Sequence, residues 1–211
     1  MKPQEKRKVV VFDFGHVLFC VGHEHVYREM FQADGKTEEE LQHFLNEIFP
    51  HDDRSAANNR LSATEVTGPL AAKYPEWAKY IEAFNADRDF LKFILGTVDG
   101  MEDTLKQLKE EGYEIYGLTN WSGDTFDALD KAYPGITGLF NEIVVSGKVG
   151  VKKPDPLIYQ MAQEAYGNPN PADVHFFDDK PRNTEAAHQT VGWNGVVFKD
   201  VSTVRQTLAL K

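Results

Sequence analysis

The 211-residue chain has a single cysteine, Cys20, so no disulfide can form within it. That fits a reducing compartment. No cationic partner is evident beside Cys20, so a packed thiol is expected there rather than a reactive one. Nor does any apolar run approach the roughly 20 residues that a membrane-spanning helix needs. Near the N-terminus, VVVF follows the basic MKPQEKRK, but it is too short for a signal-peptide core and leads into an acid. The expected location is cytoplasmic. Basic residues are in deficit: 23 Lys and Arg stand against 33 Asp and Glu, a formal net charge of −10. Phosphate backbones need clustered Lys and Arg, so nucleic acid is not an expected partner. A small anionic substrate is compatible with the charge, because a local metal ion reverses the field around itself. One further absence is local. The stretch VVVFDFGHVLF, residues 9–19, reads as a buried strand delivering one acid, Asp13, to its end. Two residues on stands Gly15, where much chemistry at such a site uses a second acid.

What is present is an alternation. Near-continuous apolar segments at 8–12, 114–118, 142–145, 174–177 and 195–198 read as parallel strands covered on both faces. Helical patterns lie between them. In GMEDTLKQLKEEG, Met101, Leu105 and Leu108 share a face, and the pattern stops at Gly112. In DPLIYQMAQEAYG, Leu157, Ile158, Met161 and Ala165 do the same, and NTEAAHQTVG follows the fourth strand. Strand–helix alternation predicts an α/β fold with a doubly wound, mainly parallel, Rossmann-like sheet. One region breaks it. Residues 22–95 show no strand pattern but helical ones at 25–32, 37–48, 63–73 and 77–87, with capping boxes at Thr37-x-x-Glu40 and Ser62-x-x-Glu65. The expectation is a core domain of 1–20 and 96–211 with a helical cap domain, 21–95, inserted after the first strand.

In open α/β sheets, ligands bind beyond the carboxyl ends of the strands. The first strand ends in Asp13 and the second in Thr119-Asn120. The third is followed by GKVGVKKPDP, with Lys152 and Lys153, and the fourth ends in Asp178-Asp179. Taken singly, each of these is an ordinary turn, cap or solvated pair. At successive strand ends they form one set: three acids, a hydroxyl, an amide and a lysine. Carboxylate and carbonyl oxygens are the ligands Mg²⁺ prefers. A metal ion and a lysine together neutralise a phosphate. A Thr119 hydroxyl and backbone N–H groups donate to phosphoryl oxygens, and a free oxygen of Asp13 attacks phosphorus in line.

The order FDFGHVL, LTN, KKPDPLIY, FFDDKPRN resembles the four motifs of the haloacid dehalogenase superfamily, and the likeness spans nearly the whole core. The helical insert is similar to that family's small helical cap. The resemblance implies Asp13 as nucleophile and the Gly15 carbonyl as a metal ligand. Thr119 and Asn120 would contact the phosphoryl group, and Lys153 would be the bridging cation. It implies Asp179 as the direct metal ligand of the fourth motif, with Asp178 and Asn183 completing the metal site by orienting bound water. FDFGHVL, AYPGI and FFDDKPRN look most like the bacterial branch that includes the α-D-glucose-1-phosphate phosphatase, in which a glycine also follows the nucleophile by two.

Most phosphatases of the superfamily carry Asp at the position of Gly15, as acid for the leaving group and base for water. General acid–base catalysis is typically worth about 10²–10⁴-fold. His16 is the candidate replacement, because imidazole exchanges protons near neutral pH, although it sits one residue out of register. Otherwise the substrate needs less help: an anomeric or acyl phosphate has a more acidic leaving group than a simple alcohol. Within the insert, FPHDDRSAANNR offers His51, Arg54 and Asn58 to read substrate hydroxyls, with His23, His25 and Arg28 as alternatives. The expected activity is Mg²⁺-dependent hydrolysis of a small phosphate monoester, a sugar phosphate such as a sugar 1-phosphate. The rivals are a metal-free 2-haloacid dehalogenase, against which the Asp178-Asp179 pair speaks, and a non-enzymatic binding protein that kept the fold.

Overall fold

The structure, a computed structural model, describes residues 7–49, 61–85 and 87–210. The run VVVF forms β1 (Val9–Phe12), whose four residues are all fully buried. Their side chains alternate between two cores. Val10 and Phe12 join the larger cluster with Leu105, Leu108 and Phe126, while Val9 and Val11 join Ile158, Tyr159, Ala162 and Trp193. A strand covered on both faces needs apolar residues at every position, which is why it reads as an unbroken run.

Five strands make the main sheet: β1, β4 (Glu114–Thr119), β5 (Glu142–Val145), β6 (Val174–Asp178) and β7 (Asn194–Val197). They lie in the order β5-β4-β1-β6-β7, all parallel. This is the expected α/β architecture, each strand within two residues of its sequence-based position. β1 sits at the centre with Phe12 opposite both Gly117 of β4 and Phe177 of β6. After β1 the chain builds β4 and β5 on one side of it and then crosses to build β6 and β7 on the other, so the crevice of a doubly wound fold opens at the tips of β1, β4 and β6. No helix among the described residues is long and apolar enough to cross a membrane.

One expectation is corrected. The region 22–95 was expected to hold no strand, yet β3 (Ile94–Thr97) begins within it and pairs antiparallel with β2 (Phe19–Val21). The reason is brevity and exposure. Each strand has only three or four residues, Cys20 and Leu95 face solvent, and Gly96 adopts a φ of +126°. Neither period nor hydrophobicity marks such a pair. It straddles both expected edges of the insert.

Between β2 and β3 run the helices His23–Ala33, Glu38–His43, Ala63–Lys73 and Ala78–Glu82, with a π-helical turn, Phe44–Ile48, continuing the second. Both capping boxes form. Thr37 Oγ1 accepts from the Glu40 N–H at 3.2 Å and Ser62 Oγ from the Glu65 N–H at 3.1 Å, and each glutamate returns the bond. The last helix ends at Glu82, short of 87, as the chain turns and buried Asn85 accepts the Thr67 hydroxyl on Oδ1 at 2.6 Å. An aromatic core of Tyr27, Phe31, Phe44, Trp77 and Tyr80 holds these helices together.

The insert touches the sheet-bearing part at named points. The Ala63 N–H, in the first turn of its helix, donates to Asp124 Oδ2 at 2.8 Å. Asp124 Oδ1 meanwhile accepts from the Thr125 N–H in the first turn of the helix Gly123–Ala132. Beside it, the Phe90 ring meets the edge of Trp121 at 6.1 Å.

Candidate active site

The tips of β1, β4 and β6 bring the expected residues together. Asp13 follows β1, and its own N–H donates to Phe177 O at 2.9 Å, which fixes the tip of β1 against β6. The Phe14 N–H and the Lys153 ammonium both converge on one oxygen, Asp13 Oδ1, at 2.7 and 2.9 Å. The second oxygen takes neither bond.

Lys153 is fully buried and spends all three of its donors. They go to Asp13 Oδ1, to Asp178 Oδ2 at 2.7 Å, and to the Leu118 carbonyl of β4 at 2.7 Å. Burial opposes its charge, the Asp13 and Asp178 carboxylates favour it, and the net direction of its pKa is upward. Burial pushes the Asp13 carboxyl the same way; Lys153 pulls it back, Asp178 pushes further, and the outcome is a rise to about 6. Lys153 is held by its backbone too. Asn120 donates from Nδ2 to Lys153 O at 2.9 Å and accepts the Lys153 N–H on Oδ1 at 2.8 Å. The Asn120 amide, expected at the phosphoryl group, thus clamps the turn that carries Lys153. Thr119 ends β4 with 1% of its surface exposed, and its hydroxyl makes no hydrogen bond to a described residue.

The acids of β6 divide their work. Asp178 is fully buried with both oxygens engaged: Oδ1 by the Lys180 N–H and Asn183 Nδ2, Oδ2 by Lys153 and Asn183 Nδ2. Asp179 differs. Its Oδ1 is buried and receives no hydrogen bond among the described residues, and the same holds for Asn183 Oδ1. A buried carboxylate oxygen without a donor costs a few kcal/mol unless something positive meets it. One oxygen from each of Asp13, Asp178 and Asp179 lies within 4.8 Å of the others. This hard, anionic oxygen set suits a divalent cation of the Mg²⁺ type.

The turn after β1 leaves the Gly15 carbonyl free without requiring a glycine. The Phe14 carbonyl accepts both the Leu18 and Phe19 N–H groups, and the His16 N–H donates to Phe19 O, which leaves the Gly15 carbonyl outside the turn's own bonds. A side chain at Gly15 would meet only Val21 Cγ2, at 3.9 Å. Sterics therefore do not demand glycine there. His16 adopts a φ of +60°, is exposed, and its ring joins none of the hydrogen bonds around Asp13. His51, Arg54 and Asn58 lie outside the described residues. His25 and Arg28 form exposed pairs with Glu29, and with Glu24 and Glu38. His23 packs against Phe84 and Phe93.

Two features were not anticipated. The Phe14 ring lies over Gly117 of β4, where a Cβ would come within 2.7 Å of Phe14 Cε2. A glycine inside a strand is the signal that could have revealed it. The Leu118 carbonyl as a lysine acceptor has no signal in sequence, because every residue carries one.

A family profile of haloacid dehalogenase-like hydrolases matches residues 7–189. The chain belongs to this family. Among curated proteins it is 29% identical over 156 residues to drimenol cyclase DrtB of Aspergillus calidoustus, covering 70% of this chain and 28% of that one. It is 28% identical over 115 residues to the chloroplastic flavin mononucleotide hydrolase 1 of Arabidopsis thaliana, covering 53% of this chain and 44% of that protein. The chain therefore spans less than half the length of either relative. Among solved structures, the haloacid dehalogenase-family enzyme BT-2542 of Bacteroides thetaiotaomicron, in complex with magnesium and inorganic phosphate, superposes with a TM-score of 0.66. It shares 22% identity, and the match covers 94% of this chain and 98% of that one. At that identity the likeness shows a shared fold. This haloacid dehalogenase-like hydrolase holds its acids, lysine and threonine at the sheet edge where its fold class binds ligands.

Proposed function

We propose that the chain is a Mg²⁺-dependent phosphatase that hydrolyses a small phosphate monoester, a sugar phosphate such as a sugar 1-phosphate, through an aspartyl-phosphate on Asp13. The observation that carries this reading is the division of the Asp13 carboxylate. Oδ1 is fixed by Lys153 and the Phe14 N–H, the other oxygen takes neither bond, and an Asp13 oxygen lies within 4.8 Å of oxygens of Asp178 and Asp179. A magnesium complex with phosphate in BT-2542 and flavin mononucleotide hydrolysis in the Arabidopsis relative support it by analogy. The sequence likeness to the α-D-glucose-1-phosphate phosphatase branch points to a sugar 1-phosphate.

Asp13, the Gly15 carbonyl and Asp179 are the residues assigned to hold the metal, which would supply positive charge against the phosphate and its developing charge. Asp178 and Asn183 orient that site. The free Asp13 oxygen attacks phosphorus, the bond to the ester oxygen breaks, and the phosphoryl group rests on Asp13. Lys153 balances the charge of the carboxylates, and the Thr119 hydroxyl with nearby backbone N–H groups donates to the phosphoryl oxygens. Water then attacks phosphorus, releasing orthophosphate and restoring the carboxylate. Without an acid at Gly15, the alkoxide must leave largely unassisted, which favours acidic leaving groups such as a sugar anomeric oxygen. The 21–95 segment, as a cap, would choose among substrates. The test is a panel of phosphate esters and 2-haloacids assayed with Mg²⁺ and with chelator. Turnover of phosphate esters that stops on chelation supports the reading. Activity on haloacids that survives chelation, or no activity at all, overturns it.

A further inference from the structure

We infer that Trp121 is a specificity-determining residue, the ring against which the leaving group lies, so that the site selects phosphate esters whose alcohol carries a ring. This rests on the phosphatase reading above and narrows its substrate class.

Trp121 comes one residue after Asn120, whose amide clamps the Lys153 backbone. Its own main chain is immobilised. The Trp121 carbonyl accepts the Gly147 N–H at 2.9 Å and the Ser146 hydroxyl at 3.2 Å. Gly147 packs so closely that a Cβ there would lie 2.7 Å from Trp121 O and 2.6 Å from Gly123 N. With the carbonyl committed to that side, the indole turns to the insert, where Phe90 meets it edge-on at 79°. Phe90 is buried, and it starts the turn Phe90–Phe93 that carries the chain into β3. The ring therefore lies in the seam between the sheet tips and the helical segment. The nearby contact of Ala63 with Asp124 closes that seam over the same helix start.

Trp121 stands apart from the other two tryptophans. Trp77 and Trp193 are buried in the two hydrophobic cores, whereas Trp121 packs against the larger core and keeps part of its surface exposed. A rigid, partly exposed aromatic ring two residues beyond Thr119 suits a sugar or base ring, which stacks with little entropy cost, and gives a linear alkyl chain less to bury. Burying a ring of that size is worth roughly 10–100-fold in binding.

The experiment compares glucose 1-phosphate and ribose 5-phosphate with glycerol 3-phosphate, all with Mg²⁺, in wild-type, Trp121→Ala and Trp121→Phe proteins. The expected result in Trp121→Ala is a fall of roughly 10–100-fold in the ring-to-linear ratio of kcat/KM, carried by KM. Trp121→Phe restores most of it. An unchanged ratio in a Trp121→Ala protein that melts cooperatively overturns the inference and leaves the phosphatase reading standing. Fluorescence gives a second readout that survives a poorly folding variant. In Asp13→Asn protein with Mg²⁺, glucose 1-phosphate should shift the tryptophan emission, and Trp121→Phe in that background should abolish the shift. No shift with Trp121 in place also overturns the inference. A wild-type protein that turns over no ester overturns the phosphatase reading, and this inference with it.

Discussion

The Lys153 ammonium and the Asp13 carboxylate meet at 2.9 Å where solvent scarcely reaches either, and the same ammonium holds Asp178 at 2.7 Å. One buried cation thus faces two buried anions. Replacing it with methionine leaves two carboxylates uncompensated. Lys153→Met should cost about 3–5 kcal/mol of stability and abolish turnover. Urea unfolding without metal measures the first; an unaltered midpoint would disprove the pairing.

Removing Asp13 should do the reverse to stability. Its folded pKa, about 6, lies above its ordinary value of 3.8. A carboxyl raised in this direction binds its proton more tightly when folded, so its ionisation destabilises the native state as pH rises from about 4 to 6, and the cost persists above that window. In chelator, Asp13→Asn should therefore match wild type near pH 4 and exceed it by roughly 1–3 kcal/mol at pH 7. Magnesium should shrink the gap by stabilising the wild-type carboxylate. Melting curves of both proteins between pH 4 and 8 check the sign; a gap that does not vary with pH would refute it.

The space at Gly15 predicts a gain. Because a Cβ there meets nothing closer than 3.9 Å, Gly15→Asp should fold normally and supply the missing proton carrier. Wild-type turnover should accumulate phospho-Asp13, visible by rapid-quench mass spectrometry. Gly15→Asp should remove that adduct and speed turnover of simple alkyl phosphates by about 10²-fold. A His16→Ala protein that loses activity as severely as Asp13→Asn would instead make the histidine the proton carrier.

Gly117 links packing to chemistry. A methyl group there would strike Phe14, whose N–H fixes Asp13 Oδ1 at 2.7 Å and whose ring packs with Phe19, Phe126 and Phe140. Gly117→Ala should cost about 1–3 kcal/mol and lower kcat beyond what the unfolded fraction explains. Stability loss with kcat intact would confine Gly117 to a packing role.

The sheet and the acids were legible for the same reason. β1 and β6 are buried on both faces and end in charge, so hydrophobicity and its abrupt stop mark both the strand and its tip. The Thr37 and Ser62 caps were legible because their chemistry is local in sequence. β2 and β3 were not, since two short half-exposed strands gain their meaning only from each other. Asn120 shows a different limit. Its position at the tip of β4 could be read, but not that its amide serves the Lys153 backbone, a contact 33 residues away in the chain. For His16 the chemistry could be read in the sequence, but neither its left-handed backbone nor its exposure.

Asp124 ends two helices at once, accepting Ala63 from the insert and Thr125 from its own first turn. Swinging the Ala63–Lys73 helix away would strip that amide of its carboxylate partner, and hydrogen bonds to charged groups contribute about 1.5–3 kcal/mol. Through this bond alone the shut arrangement would outnumber the open one by roughly 10–150-fold at rest. Product escape would then wait on a rare opening, and the tempo of the enzyme would be set at Asp124, away from the phosphorus.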